Sequence, residues 1–143
     1  MTTKQLSVFV ENKPGRLAEI TKILEEINVD IRALSIADTT HFGILRLIVN
    51  NPEAAENALK GAGFTVSLTR VIAIEVKDEP GGLARALRHL TVAGITVEYM
   101  YAFITKKENS AYVIIRVEDN QKAIDVLEAN HISVVCGRDI YDM

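Results

Sequence analysis

One stretch of this chain is written twice. Asn12-Lys13-Pro14-Gly15-Arg16-Leu17-Ala18 returns 66 residues later as Asp78-Glu79-Pro80-Gly81-Gly82-Leu83-Ala84. Each copy follows a run rich in valine and isoleucine, Leu6–Val10 and Val71–Val76, and each opens a segment with apolar residues at helical spacing. A chain of 143 residues built this way divides into two units of about 70 residues, near the lower limit for an independent core. The expected domains are residues 1–69 and 70–143, packed together across the linker-free junction at Thr69-Arg70-Val71.

The pattern extends through both halves. Leu6–Val10 alternates as a strand; Pro14 suits a helix start, where its missing N–H leaves nothing unpaired. Leu17, Ile20, Leu24 and Ile27 then share a helical face. Asn28 is placed to stop that helix in the left-handed conformation. Ile31–Ala37 and Gly43–Val49 read as strands. Asn51-Pro52 starts a second helix, and Phe64–Thr69 forms a fourth strand. In the second half, Leu83, Ala86, Leu87 and Leu90 line a helix, and Gly94 takes the place of Asn28. Ala111–Val117 matches Gly43–Val49 with two residues added in the hairpin at Lys106–Ser110. Asp119 caps a helix before the last strand, Ile132–Val135. The order βαββαβ, twice, predicts an α+β fold of two ferredoxin-like units, antiparallel sheets with helices on one face.

Composition removes several function classes. The net charge of −3 and scattered lysines and arginines leave no basic footprint for nucleic acid. Cys136 is the only cysteine, so no internal disulfide forms. His41, His89 and His131 lack metal-ligand spacing with it, so neither metal nor cofactor is expected. The start of the chain has no apolar export segment, and no stretch approaches a membrane span, so a cytoplasmic protein is expected. Gly81-Gly82 is not followed by the Gly-Lys-Ser/Thr of a phosphate loop, and no catalytic constellation is recognisable. A helix that begins at Pro-Gly instead presents backbone N–H groups without internal partners, which attract an anion such as a carboxylate.

A βαββαβ unit with Asn-x-Pro-Gly-x-Leu-Ala after its first strand resembles the ACT domain. Asn12–Ala18 with Ile20, Leu24, Asn28, Val29, Asp30 and Ile31 carries the match, and Asp78–Ala84 with Leu90, Gly94, Ile95 and Val97 carries it again. The resemblance covers both halves and implies a non-catalytic regulatory protein. Such a protein binds an amino acid or related metabolite at interfaces between ACT units, and signals to a metabolic enzyme. Carried over by position, the implied ligand residues are Asn12, Gly15, Arg16, Leu17 and Asp30 in the first copy. In the second they are Asp78, Gly81, Gly82, Leu83 and Thr96. Amide donors would hold a carboxylate, and Asp30 or Asp78 an ammonium. The two bare glycines make the Asp78–Leu83 turn the favoured one if a single site is filled. Val10 and Val76 stand where some serine-sensing members carry a histidine, which argues against serine.

Val97, Tyr99, Tyr101 and Phe103 share one strand face. Their plain reading is core or subunit packing; the sharper one is that Tyr99 or Tyr101 walls the pocket. A homodimer is expected, as ACT units usually pair. The alternative is a ligand-free module that docks on a metabolic enzyme. An RNA binder on the same topology would need exposed aromatics in a basic, glycine-rich strand, and none is present.

Overall fold

The computed structural model describes residues 1–38, 41–104 and 107–143. Its contacts divide the chain into two units. The first comprises Lys4–Thr69 with Tyr141–Met143, the second Arg70–Ile140 with Met1–Thr3. Lys106, part of the expected hairpin insertion, lies outside the described residues.

The first unit runs β1 (Thr3–Glu11), α1 (Arg16–Glu26), β2 (Ile31–Asp38), β3 (Phe42–Val49), α2 (Pro52–Gly61) and the start of β4 (Thr65–Lys77). Its strands lie in the order β2-β3-β1-β4, with β3 antiparallel to both neighbours. The register puts Leu6 opposite Leu47 and Val8 opposite Leu45, so these four share a face. That face packs on Ile20 and Leu24 of α1 and on Ala55 and Leu59 of α2. Burying each of the leucine, isoleucine and valine side chains contributes about 1.5–3 kcal/mol. Leu17 and Ile27, at the two ends of α1, remain exposed. Asn28 ends the helix at φ 56. The Asn51 side chain accepts from the Ala54 amide at 3.2 Å and caps α2.

The second unit continues from Arg70 in β4 through α3 (Gly82–Val92), β5 (Tyr99–Ala102), β6 (Ser110–Arg116), α4 (Asn120–Ala129), β7 (Ser133–Val135) and all but the last residue of α5 (Gly137–Tyr141). Here β4 pairs antiparallel with β6 and β7, and β6 with β5. Ile72, Ile74, Val113 and Ile115 form the helix-covered face with Ala86, Leu90, Ala123 and Leu127. Gly94 takes φ 74, and the Asp119 side chain accepts from the Lys122 amide at 3.1 Å. These repeat the helix stop and cap of the first unit.

The α+β class, antiparallel sheets and ferredoxin-like units match the expectation; three details differ. The strands expected at Phe64–Thr69 and Val71–Val76 are one strand, Thr65–Lys77, because no glycine, proline or turn residue interrupts the β-branched run. The ladder of β5 covers only Tyr99–Ala102. Hydrogen bonds from Glu98 N to Arg116 O at 2.9 Å and from Phe103 N to Tyr112 O at 3.1 Å nevertheless extend the pairing on both sides. Helix α5 was not expected, since five residues carry no measurable periodicity.

Candidate functional site

The turn before α1 is shaped by its own backbone. Gly15 adopts φ 82, where an L side chain is strained. The Glu19 amide donates to Gly15 O at 2.9 Å, and the Arg16 amide to Lys13 O at 3.4 Å. No side chain caps the helix, which leaves the Leu17 and Ala18 amides without an acceptor among the described residues. Asn12 is held from both sides: its amide donates to His41 O at 3.2 Å and its Nδ2 to Asp38 Oδ1 at 3.2 Å.

Beside this turn lies a cleft of about 250 Å³. Val10, Gly43 and Leu45 floor it, Asn12, Arg16 and Leu17 form its rim, and Ile36 of β2 walls it. Ile36 is 47% exposed although it shares the helix-side face with Leu45, because β2 is the edge strand there. Glu11 also borders the cleft. A hydrogen bond from the Lys13 ammonium, with the charge of that ammonium, holds its carboxyl below the usual value. The turn and the cleft beside it thus bring uncapped amide N–H groups, a guanidinium, a carboxylate and an apolar floor into one neighbourhood, groups that suit a carboxylate and an ammonium. Glu11, Ile36 and Gly43 were not singled out from the sequence. For Ile36, the apolar alternation of an edge strand was the available signal.

The second turn has the same backbone and a different outcome. Asp78 N donates to Asn109 O at 3.0 Å, Arg85 N to Gly81 O at 3.0 Å, and Gly81 takes φ 86. The Leu83 and Ala84 amides have no acceptor among the described residues, and no side chain caps α3. Gly82 is buried, however, and a Cβ there would overlap the Lys77 carbonyl oxygen. At Gly82 the space of the missing side chain is taken by the chain's own carbonyl, whereas Gly81 remains exposed. The Arg85–Glu79 ion pair, 2.7 Å, lies against Gly81. The adjoining cleft, about 310 Å³, is lined by Lys77, Glu79, Arg85 and His89, and among the expected ligand residues by Gly82 alone.

Other expected residues lie elsewhere within their units. Asp30 follows the C-terminal end of α1, an 11-residue helix about 16 Å long, and pairs with Arg32. Thr96 follows α3 and borders a separate cleft with Leu87, Gly94 and Val97. Tyr99 and Tyr101 stack with ring centroids 6.5 Å apart, 16° between planes. Their partners in register are Arg116 and Ile114, which alternate with the helix-facing Val113 and Ile115. The two tyrosines therefore occupy the sheet face turned away from α3 and its turn.

The family described as ACT domain pair matches residues 1–143. Protein BT0572 from Bacteroides thetaiotaomicron is 41% identical, with 100% of this chain and 98% of that one covered and a TM-score of 0.94. The ligand-free regulatory subunit of aspartate kinase from Thermus thermophilus is 18% identical, with 90% of each chain covered and a TM-score of 0.65. Its counterpart from Thermus flavus is 15% identical, with 90% of this chain and 92% of that one covered and a TM-score of 0.61. At these identities the two Thermus structures share the fold. Comparison with curated proteins gives no match. Among the described residues no helix is long and apolar enough to cross a membrane.

Proposed function

Because the chain belongs to the ACT domain pair family, we propose that it is a non-catalytic regulatory protein that binds an amino acid in the cleft beside Asn12–Leu17. One observation carries the reading: an uncapped helix start with unpartnered Leu17 and Ala18 amides opens beside a cleft rimmed by Asn12 and Arg16. The amides and Arg16 take the carboxylate, Glu11 takes the ammonium, and Val10 and Leu45 contact the aliphatic part. Between the two turns the geometry favours the first, reversing the preference that the paired glycines suggested. Asp30 lies too far along α1 to join this site within one chain. It contributes when a second copy of the protein places its own Asp30 against the turn, so the site is an ACT–ACT interface in a homodimer. The bound state then acts on a metabolic enzyme.

The exposed apolar residues Leu34 and Ile36 on the β2 edge favour a second reading, a docking module without a ligand. A panel of the common amino acids at millimolar concentration separates the two. Ligand binding raises Tm by a few degrees per kcal/mol of linkage, and Asn12→Ala or Arg16→Ala diminishes the rise. A flat panel rejects the sensor and leaves the docking module.

A further inference from the structure

The internal repeat builds a second kind of cleft twice, at the outer end of each unit's first strand, between the first helix and the turn that precedes the last strand. In the first unit it is a space of about 190 Å³ lined by Phe9, Phe42 and Phe64 with Glu11, Arg16 and Gly63. In the second, the positions matching Phe9, Glu11, Gly63 and Phe64 are Glu75, Lys77, His131 and Ile132, and no aromatic carbocycle lines the cleft. Three of the chain's four phenylalanines therefore gather around one cleft, and the equivalent cleft has none. Phe9 is 48% and Phe42 55% exposed, so the core of the unit does not account for these two rings. Phe64 packs partly against that core.

Glu11 and Arg16 border this aromatic cleft and also the cleft beside Asn12–Leu17. Both are engaged in exposed ion pairs, Glu11 with Lys13 at 2.8 Å and Arg16 with Glu19 at 3.1 Å. Exposed pairs of this kind exchange partners at little cost. The volume of about 190 Å³ leaves room for one aromatic ring among the three phenylalanines that line this open cleft. It does not take a whole amino acid, whose charged groups must remain at the rim.

We propose that the aromatic cleft receives the side-chain ring of an aromatic amino acid whose charged groups are held by Glu11 and Arg16. This rests on the amino-acid-sensing reading above and specifies its ligand class. Ring faces at 4.5–7 Å centroid separation provide selectivity that aliphatic side chains cannot match.

The test is calorimetric titration of the full chain with L-phenylalanine, L-tyrosine, L-alanine and L-threonine, repeated on Phe9→Ala and Phe42→Ala. Both substitutions fall at exposed positions, and far-UV circular dichroism checks that the variants fold. A second probe is available because the chain contains no tryptophan: added L-tryptophan reports its own transfer to an apolar site through a blue-shifted emission. The expected result is binding of the aromatic ligands at least ten-fold tighter than alanine or threonine, with a loss of about ten-fold in each variant. Equal binding of alanine and phenylalanine, unchanged in Phe9→Ala, overturns the inference while the sensor reading stands. Absence of binding by every amino acid overturns both. Dissociation of a dimer by Phe42→Ala with no change in ligand selectivity also overturns it, and makes the cleft a contact between copies.

Discussion

Gly82 shows how two glycines with the same neighbours serve different ends. Gly81 is bare because its φ of 86 disfavours a side chain; such a conformation costs an L-residue about 1–2 kcal/mol. Gly82 is bare because the Lys77 carbonyl occupies the place of its Cβ. The overlap is with backbone, so no side-chain rotation relieves it. Gly82→Ala is expected to destabilise the protein by about 3 kcal/mol, more than Gly81→Ala. Urea unfolding of both variants checks this, and equal losses would mean that the turn shifts freely. The dipeptide was legible as a helix start from the sequence. The carbonyl that fills the space over Gly82 was not, because only the fold of the turn brings Lys77 back onto it.

At the scale of elements, the second unit ties the C-terminal end of β4 to the β5–β6 connection and the start of β6 through charge and a hydroxyl hydrogen bond. The Ser110 hydroxyl donates to the Glu75 carboxylate, and the Lys107 ammonium reaches Glu75 Oε1 at 3.2 Å. These bonds outweigh partial burial and hold the Glu75 carboxyl below the ordinary value of 4.5. A carboxyl that is more acidic folded than unfolded contributes its full stabilisation above the unfolded value. The contribution is lost as pH falls through the lower, folded value. Glu75→Gln is therefore expected to cost about 0.5 kcal/mol at neutral pH. The difference from the unsubstituted protein should shrink below pH 4.5 and vanish in stronger acid. Thermal unfolding across that range checks it; a difference independent of pH would show that the carboxylate's charge plays no part. Elements with local signals were the legible ones. Asn51 and Asp119 as caps, and Asn28 and Gly94 as stops, each act within a few residues of themselves. The join that makes β4 one strand, and the five residues of α5, had no punctuation or period to announce them.

For the whole molecule, Asp30 and the Asn12–Leu17 turn lie at opposite ends of α1, so the proposed site would include Asp30 only through a second copy of the protein. A twofold pairing uses the same surface on both partners, so one contact would complete two sites. Leu34 and Ile36 on the β2 edge supply apolar area for such a contact. The protein is expected to sediment as a homodimer, and a saturating amino-acid ligand is expected to strengthen the dimer as required by linkage. Sedimentation equilibrium with and without L-phenylalanine tests this. A monomer that binds the amino acid with undiminished affinity would confine the site to one chain and remove Asp30 from it.

The sequence by itself determined the doubled βαββαβ units, their caps and stops, and the two uncapped Pro-Gly helix starts. Proline, glycine and short polar side chains act on dihedral angles and hydrogen bonds within a turn of themselves, so their consequences can be read along the chain. Only the tertiary structure decided that the first turn opens beside a cleft while Gly82 is closed over by Lys77. It alone set Tyr99 and Tyr101 on the sheet face away from the helices, and gathered Phe9, Phe42 and Phe64 around one space. Those outcomes depend on strand register and helix packing, which join residues tens of positions apart through contacts that no local pattern encodes.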